Sequence, residues 1–141
     1  LSRGGAVHII GDVADYLPNY QITTVFTSAN NAKNERVLTK NFLAGFSKGV
    51  DDYASTMIDR KNGDAGVNKM VDLIHKYVYT SRPRKKAAPS IINGTMRLNN
   101  GASLNLASIK NQLEWFKSEG LVKKSITIDT LVDQSYVKII S

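Results

Sequence analysis

A helix-rich α/β fold is predicted by three features of this sequence. Residues 6–10 and 20–27 are dense in β-branched and aromatic side chains, with Asp15, Pro18 and Asn19 as turn formers between them. Three later stretches carry apolar residues at spacings of three and four, the period of a helix with one buried face. No internal repeat or long low-complexity segment interrupts this order.

The two β-rich segments, Ala6-Val7-His8-Ile9-Ile10 and Tyr20-Gln21-Ile22-Thr23-Thr24-Val25-Phe26-Thr27, are expected to be strands joined by a loop. The first long helix is expected from Asn34, a good N-cap. It aligns Leu38, Phe42, Phe46, Val50, Tyr53 and Met57 on one stripe of about six turns. Gly45 and Gly49 lie inside it, and the cost of about 1 kcal/mol for a mid-helix glycine predicts a close backbone approach by a neighbouring element.

Asp64 signals the start of a second helix bearing Val67, Met70, Val71, Ile74, Tyr77 and Val78, which ends before Pro83. A basic loop, Arg82-Pro83-Arg84-Lys85-Lys86, follows, and Ile91-Ile92 and Thr95 to Leu98 are expected as short extended pieces. The third helix starts near Ser103 or Asn105, buries Leu106, Ile109, Leu113 and Phe116, and stops at Gly120 as a left-handed C′ residue. A short helix with Leu131 and Val132 and an apolar end complete the chain. Two strands cannot cover three long apolar stripes, so further strands are expected to come from elsewhere.

Composition narrows the chemistry. The chain has 141 residues, 42% hydrophobic and 22% charged, enough for one globular domain or part of one. It has no cysteine, which removes disulfides, thiolate zinc sites and thiol nucleophiles. No apolar run is long enough to span a bilayer, and the opening Leu1-Ser2-Arg3-Gly4-Gly5 lacks the apolar core of a signal peptide. The sequence opens on Leu1 in place of Met and soon enters the apolar stretch Ala6 to Ile10, and is expected to be a processed or truncated piece.

The formal charge is +7, from 19 basic and 12 acidic residues. Four of the basic residues lie within residues 82–86. Without them the balance is 15 against 12, which describes a local patch and not a basic face.

No catalytic or metal-ligating constellation is expected. His8 and His75 are far apart on different elements without cysteine or HxxxH spacing. Asp12 and Asp15 flank a turn, and Asp51-Asp52 fit a solvated helix face. Arg3-Gly4-Gly5 is not followed by the Gly-Lys-Ser/Thr of a phosphate loop. The basic stretch with Tyr77 and Tyr79 nearby leaves open a second reading as a basic nucleic-acid-associated interaction domain.

The run Leu113-Glu114-Trp115-Phe116-Lys117-Ser118-Glu119-Gly120-Leu121-Val122, followed by Leu131-Val132-Asp133-Gln134-Ser135-Tyr136-Val137, resembles the C-terminal end of one group of periplasmic solute-binding proteins of ABC importers. It is the group that serves nitrate, sulfonates, taurine and thiamine pyrimidine precursors. Upstream, Asp15 to Gln21 and Phe42 to Val50 resemble the stretch where such a chain leaves its second lobe and enters a long helix. The basic stretch 82–86 has no counterpart in this resemblance, and Glu35 stands where the group often has proline.

The resemblance implies the C-terminal part of a two-lobed type II periplasmic-binding fold. Residues 1–28 would hold the last strands of the second lobe and the crossover, and residues 29–141 the C-terminal helical part of the first. It further implies a receptor that captures a small polar molecule, uses no cofactor, works outside the cytoplasm and hands its cargo to a membrane permease. Nucleic acid is not an expected partner, and catalysis is not expected. An enzyme of thiamine-precursor synthesis with the same fold is the remaining alternative, whose reactive positions the resemblance places outside this chain. Tyr16, Tyr20, Gln21 and Thr24, near the crossover, are the residues expected to line the cleft, since pockets favour amphipathic rings beside a few polar groups. The chain alone is expected to bind ligand weakly and to cover its apolar surface with the missing portion or a second copy.

Overall fold

A computed structural model describes residues 5–140. The chain divides into two units, one formed by Thr27–Ser103 and the other by the described residues up to Phe26 together with those from Leu104 onward. Among the described residues, no helix is long and apolar enough to cross a membrane.

The unit Thr27–Ser103 is helical. α2 (Ala29–Asn34) is capped by Ser28, whose Oγ accepts the Asn31 N–H. α3 (Arg36–Tyr53) follows after Glu35 and runs into a π-helical turn, Ala54–Ile58, closed by the Asp59 N–H on the Ala54 carbonyl at 3.0 Å. Ala54, Thr56 and Met57 are buried along this turn. α4 (Gly63–His75) and α5 (Arg84–Asn93) complete the set.

The core of this unit is Met57, Val67, Val71, Ala87 and Ile91, with Tyr53, Met70, Ile74 and Ala88 packed around it. Val71 on α4 and Ala87 on α5 are fully buried within this cluster, so a branched side chain and a methyl group stand at its centre. The apolar stripe on α3 divides in two. Val50 and Met57 are buried, whereas Leu38, Phe42 and Phe46 stay exposed, the two phenylalanines stacking on each other at 6.3 Å.

Four expectations are corrected here. The close approach to Gly45 and Gly49 is not made, since a Cβ added at either would meet nothing within 4 Å. The basic stretch 82–86 is not a loop throughout, because α5 begins at Arg84. Ile91-Ile92 are helical, and Pro89 sits within the same helix. Proline at its sixth position removes the bond to the Lys85 carbonyl without preventing the turns on either side. Finally, a 3-10 turn, Asn100–Ala102, occupies a segment where none was expected, with Gly101 at φ 62°.

The second unit carries α1 (Val13–Tyr16), β1 (Leu104–Asn105), α6 (Leu106–Ser118), α7 (Ile128–Leu131) and β2 (Ile139–Ile140). β1 and β2 pair in parallel, Leu104 opposite Ile139 and Asn105 opposite Ile140. The helix-rich α/β character therefore stands, but its strands are not the expected ones. Among the described residues, neither 6–10 nor 20–27 joins a ladder. Ile10, Ile22 and Phe26 are largely exposed, because β-forming side chains hold a strand only where a neighbour supplies the ladder.

α6 follows its sequence closely. Asn105 caps it, with Oδ1 accepting the Ser108 N–H at 3.0 Å. Its end is a Schellman motif: Leu121 N–H donates to the Phe116 carbonyl at 2.9 Å, Gly120 N–H donates to the Lys117 carbonyl at 3.1 Å, and Gly120 has φ 69°. Leu113 is buried as expected, whereas Phe116 is exposed and packs edge-on against Trp115.

Candidate functional site

The four expected cleft residues all lie in the unit that holds α6. Tyr16 ends α1, whose first turn is fixed by the Asp12 N–H donating to Asp15 Oδ2 at 3.0 Å. The Tyr16 ring lies over Gly11, where an added Cβ would come within 2.9 Å of the far end of the ring, so a larger residue there would push the tyrosine side chain aside. The ring is otherwise exposed. Tyr20 is exposed along part of its ring, and Thr24 is exposed.

Gln21 is bound into a polar clasp with the start of α6. Its backbone N–H donates to Ser108 Oγ at 2.9 Å, and its carbonyl accepts from Gln112 Nε2 at 2.9 Å. Its side-chain Oε1 accepts the Asn105 N–H at 3.0 Å, and its Nε2 donates to the Thr23 carbonyl at 2.7 Å. Asn105 Nδ2 reaches the Asn19 carbonyl at 2.8 Å, and Gln112 Nε2 also donates to Ser108 Oγ at 3.2 Å. Asn105 and Ser108 are buried, so these bonds also meet the cost of burying polar groups.

The clasp ties residues 19–23 to the start of α6 by hydrogen bonds in place of a β-ladder. It carries Tyr20 on the tethered segment, between Asn19 and Gln21. Ser108 and Gln112 carry no signal of a site in the sequence, and Asn105 is marked there only as a possible start of the third helix. What the three share is a polar stripe at the cap and at positions three and seven residues beyond it, which places them on one side of a helix.

The remaining polar groups serve local structure. Asp51 accepts the Gly101 N–H, Asp52 pairs with Lys48 at 2.9 Å, and His75 Nε2 lies 2.8 Å from the Arg82 carbonyl. Among the described residues, no three His, Cys, Asp or Glu side chains gather as metal ligands. A shallow, open depression at the end of α6 is lined by Glu114, Lys117, Ser118 and Lys124, with Lys117 paired to Glu114 at 2.8 Å.

At the turn between α4 and α5, Lys76 lies over the Tyr77 ring and Arg82 over the Tyr79 ring, each at 5.3 Å from the centroid. Arg84 bonds the Asp72 carboxylate and reaches Asn68 Oδ1 at 3.3 Å, tying the start of α5 to α4.

In comparison with known proteins, no family model, no curated protein and no solved structure matches the chain.

Proposed function

We propose that this chain is the C-terminal part of an extracytoplasmic solute-binding protein that delivers a small polar molecule to the permease of an ABC importer. The observation that carries the reading is the apolar surface each unit leaves open. Ile22, Val25 and Phe26 are exposed on a segment that joins no ladder among the described residues, and Val37, Leu38, Phe42 and Phe46 are exposed on α3. Large exposed apolar side chains gathered on one segment mark surfaces that another element covers. A two-lobed binding fold of the type II periplasmic kind supplies such an element, a parallel sheet for the segment 20–27 to join and for α3 to pack on. The order of α6, its glycine-ended turn, α7 and the apolar close agrees with the resemblance at residues 113–137.

In this reading Tyr16, Tyr20, Gln21 and Thr24 belong to the wall of the cleft. The clasp fixes the segment that carries Tyr20, while the exposed Tyr16 ring and the Thr24 hydroxyl face the solute. Ligand contacts shared between two lobes favour a closed state, which the permease distinguishes from the open one.

The test is a thermal-shift screen of the full-length protein against sulfonates, taurine, nitrate and thiamine pyrimidine precursors. A ligand that binds the native state alone raises its apparent stability by mass action. A shift with one chemical class supports the reading and names the cargo. No shift with any class sinks it.

A further inference from the structure

Residues 76–86 are exposed without interruption, forming a protruding corner between α4 and α5. Five cations lie on it: Lys76, Arg82, Arg84, Lys85 and Lys86. Arg84 is neutralised by Asp72, and its bonds to Asp72 and Asn68 hold the corner together. The first turn of α5 contains Arg84, Lys85 and Lys86 and no acidic residue. Cations crowded at the positive end of a helix dipole repel it and each other, so the corner is most stable beside a negative surface. Tyr77, Val78 and Tyr79 stand among these cations, exposed by 71%, 47% and 42%. Tyr79 does so at φ 61°, a left-handed backbone that a bulky residue seldom adopts.

From this corner we infer a peripheral contact with an anionic phospholipid bilayer, in which Lys76, Arg82, Lys85 and Lys86 face lipid phosphates and Tyr77, Val78 and Tyr79 reach the headgroup level. Tyrosine with basic side chains is the composition that suits the membrane–water interface. Two observations favour a bilayer over single-stranded nucleic acid. Lys76 and Arg82 already lie over Tyr77 and Tyr79, occupying ring surface that base stacking would use. The cations also end at one corner and do not line a groove along which a phosphate backbone would run, as only Lys69 continues onto α4 before Lys76.

The inference goes beyond solute capture. None of the four cleft residues belongs to the corner, so a failed vesicle experiment leaves the ligand screen standing, and the reverse also holds.

The experiment is co-sedimentation of the 141-residue chain with vesicles of equal parts phosphatidylglycerol and phosphatidylcholine, and with phosphatidylcholine alone. The expected result is binding to the anionic vesicles only, released when NaCl is raised from about 0.05 to about 0.5 M. The triple substitution Arg82→Gln, Lys85→Gln, Lys86→Gln should lower the partition coefficient about a hundredfold, with an unchanged circular dichroism spectrum. Lys123→Gln with Lys124→Gln, a basic pair elsewhere, should lower it by less than about threefold. Three results would overturn the inference: no binding to anionic vesicles at low salt, equal losses from the two sets of substitutions, or binding to a single-stranded oligonucleotide through the same residues that vesicles fail to compete.

Discussion

Asp51 Oδ1 accepts the backbone N–H of Gly101 at 2.7 Å, and one turn earlier on α3 Ser47 Oγ donates to the Gly101 carbonyl at 2.9 Å. Two side chains four residues apart thus hold both polar groups of one peptide residue, at a φ of 62° that only glycine adopts without strain. Gly101→Ala is therefore expected to lower stability by about 1 kcal/mol through its backbone alone, since the added methyl would meet only Ser47 Oγ, at an ordinary 3.5 Å. Asp51→Ala should cost about 1 kcal/mol as well, because the bond is charged but exposed. Urea denaturation of each single variant and of the pair checks this. The effects of the two substitutions should fall short of additive if they act on one contact.

The α4–α5 core gives a second expectation. Val71 and Ala87 are both fully buried, so Val71→Ala removes two methyl groups from a site with no solvent to fill the gap. A loss of about 2 kcal/mol is expected, and Ala87→Leu should cost a similar amount, about 2 kcal/mol, by overpacking the same place. Leu73→Ala, on the exposed side of α4, should change stability by less than about 0.5 kcal/mol. Equal effects at Leu73 and Val71 in denaturant titrations would contradict the packing described.

What could be read from the sequence was what is decided within a few residues. The Asn105 cap, the Gly120 ending and the spacing of Val67 and Val71 each depend on neighbours within two turns, and each lies where the pattern put it. Segments 6–10 and 20–27 could not be settled that way, because a strand exists only with a partner, and among the described residues they have none. α5 was missed for a local reason, as Pro89 and the cations of residues 84–86 both argue against a helix there. Its buried Ala87 and Ile91 outweigh them. The clasp joins Gln21 to Ser108 and Gln112 across 87 and 91 residues. Separations of that size leave no periodic trace.

Asn105 allows the clasp to be separated from the helix cap. Its Oδ1 caps α6, while its Nδ2 donates to the Asn19 carbonyl at 2.8 Å. Asn105→Asp keeps the capping oxygen and loses the donor, and Asn105→Ala loses both. The alanine variant should be less stable than the parent by about 2 kcal/mol and the aspartate variant by an intermediate amount. Amide hydrogen exchange adds position. Asn105→Asp should speed exchange at Gln21 N–H while leaving Ser108 N–H protected. Equal acceleration at both sites would mean that the cap and the clasp are one unit.

Gly45 and Gly49 provide a prediction whose sign depends on what covers α3. In the chain described here an added Cβ at either position meets nothing within 4 Å. Glycine to alanine at an open mid-helix site stabilises by about 0.5–1 kcal/mol, because alanine has less backbone freedom to lose on folding. Gly45→Ala and Gly49→Ala should therefore each raise the melting temperature of the 141-residue chain. In a full-length protein whose sheet packs on α3, the same methyl groups would enter an interface fitted to glycine, and overpacking would cost about 1–3 kcal/mol. A stabilising effect in the short chain that reverses in the full-length protein would locate the covering element over these two glycines. Stabilisation in both would leave the side of α3 that carries them facing solvent, and the sheet of the proposed two-lobed fold would have to meet α3 through Leu38, Phe42 and Phe46 alone.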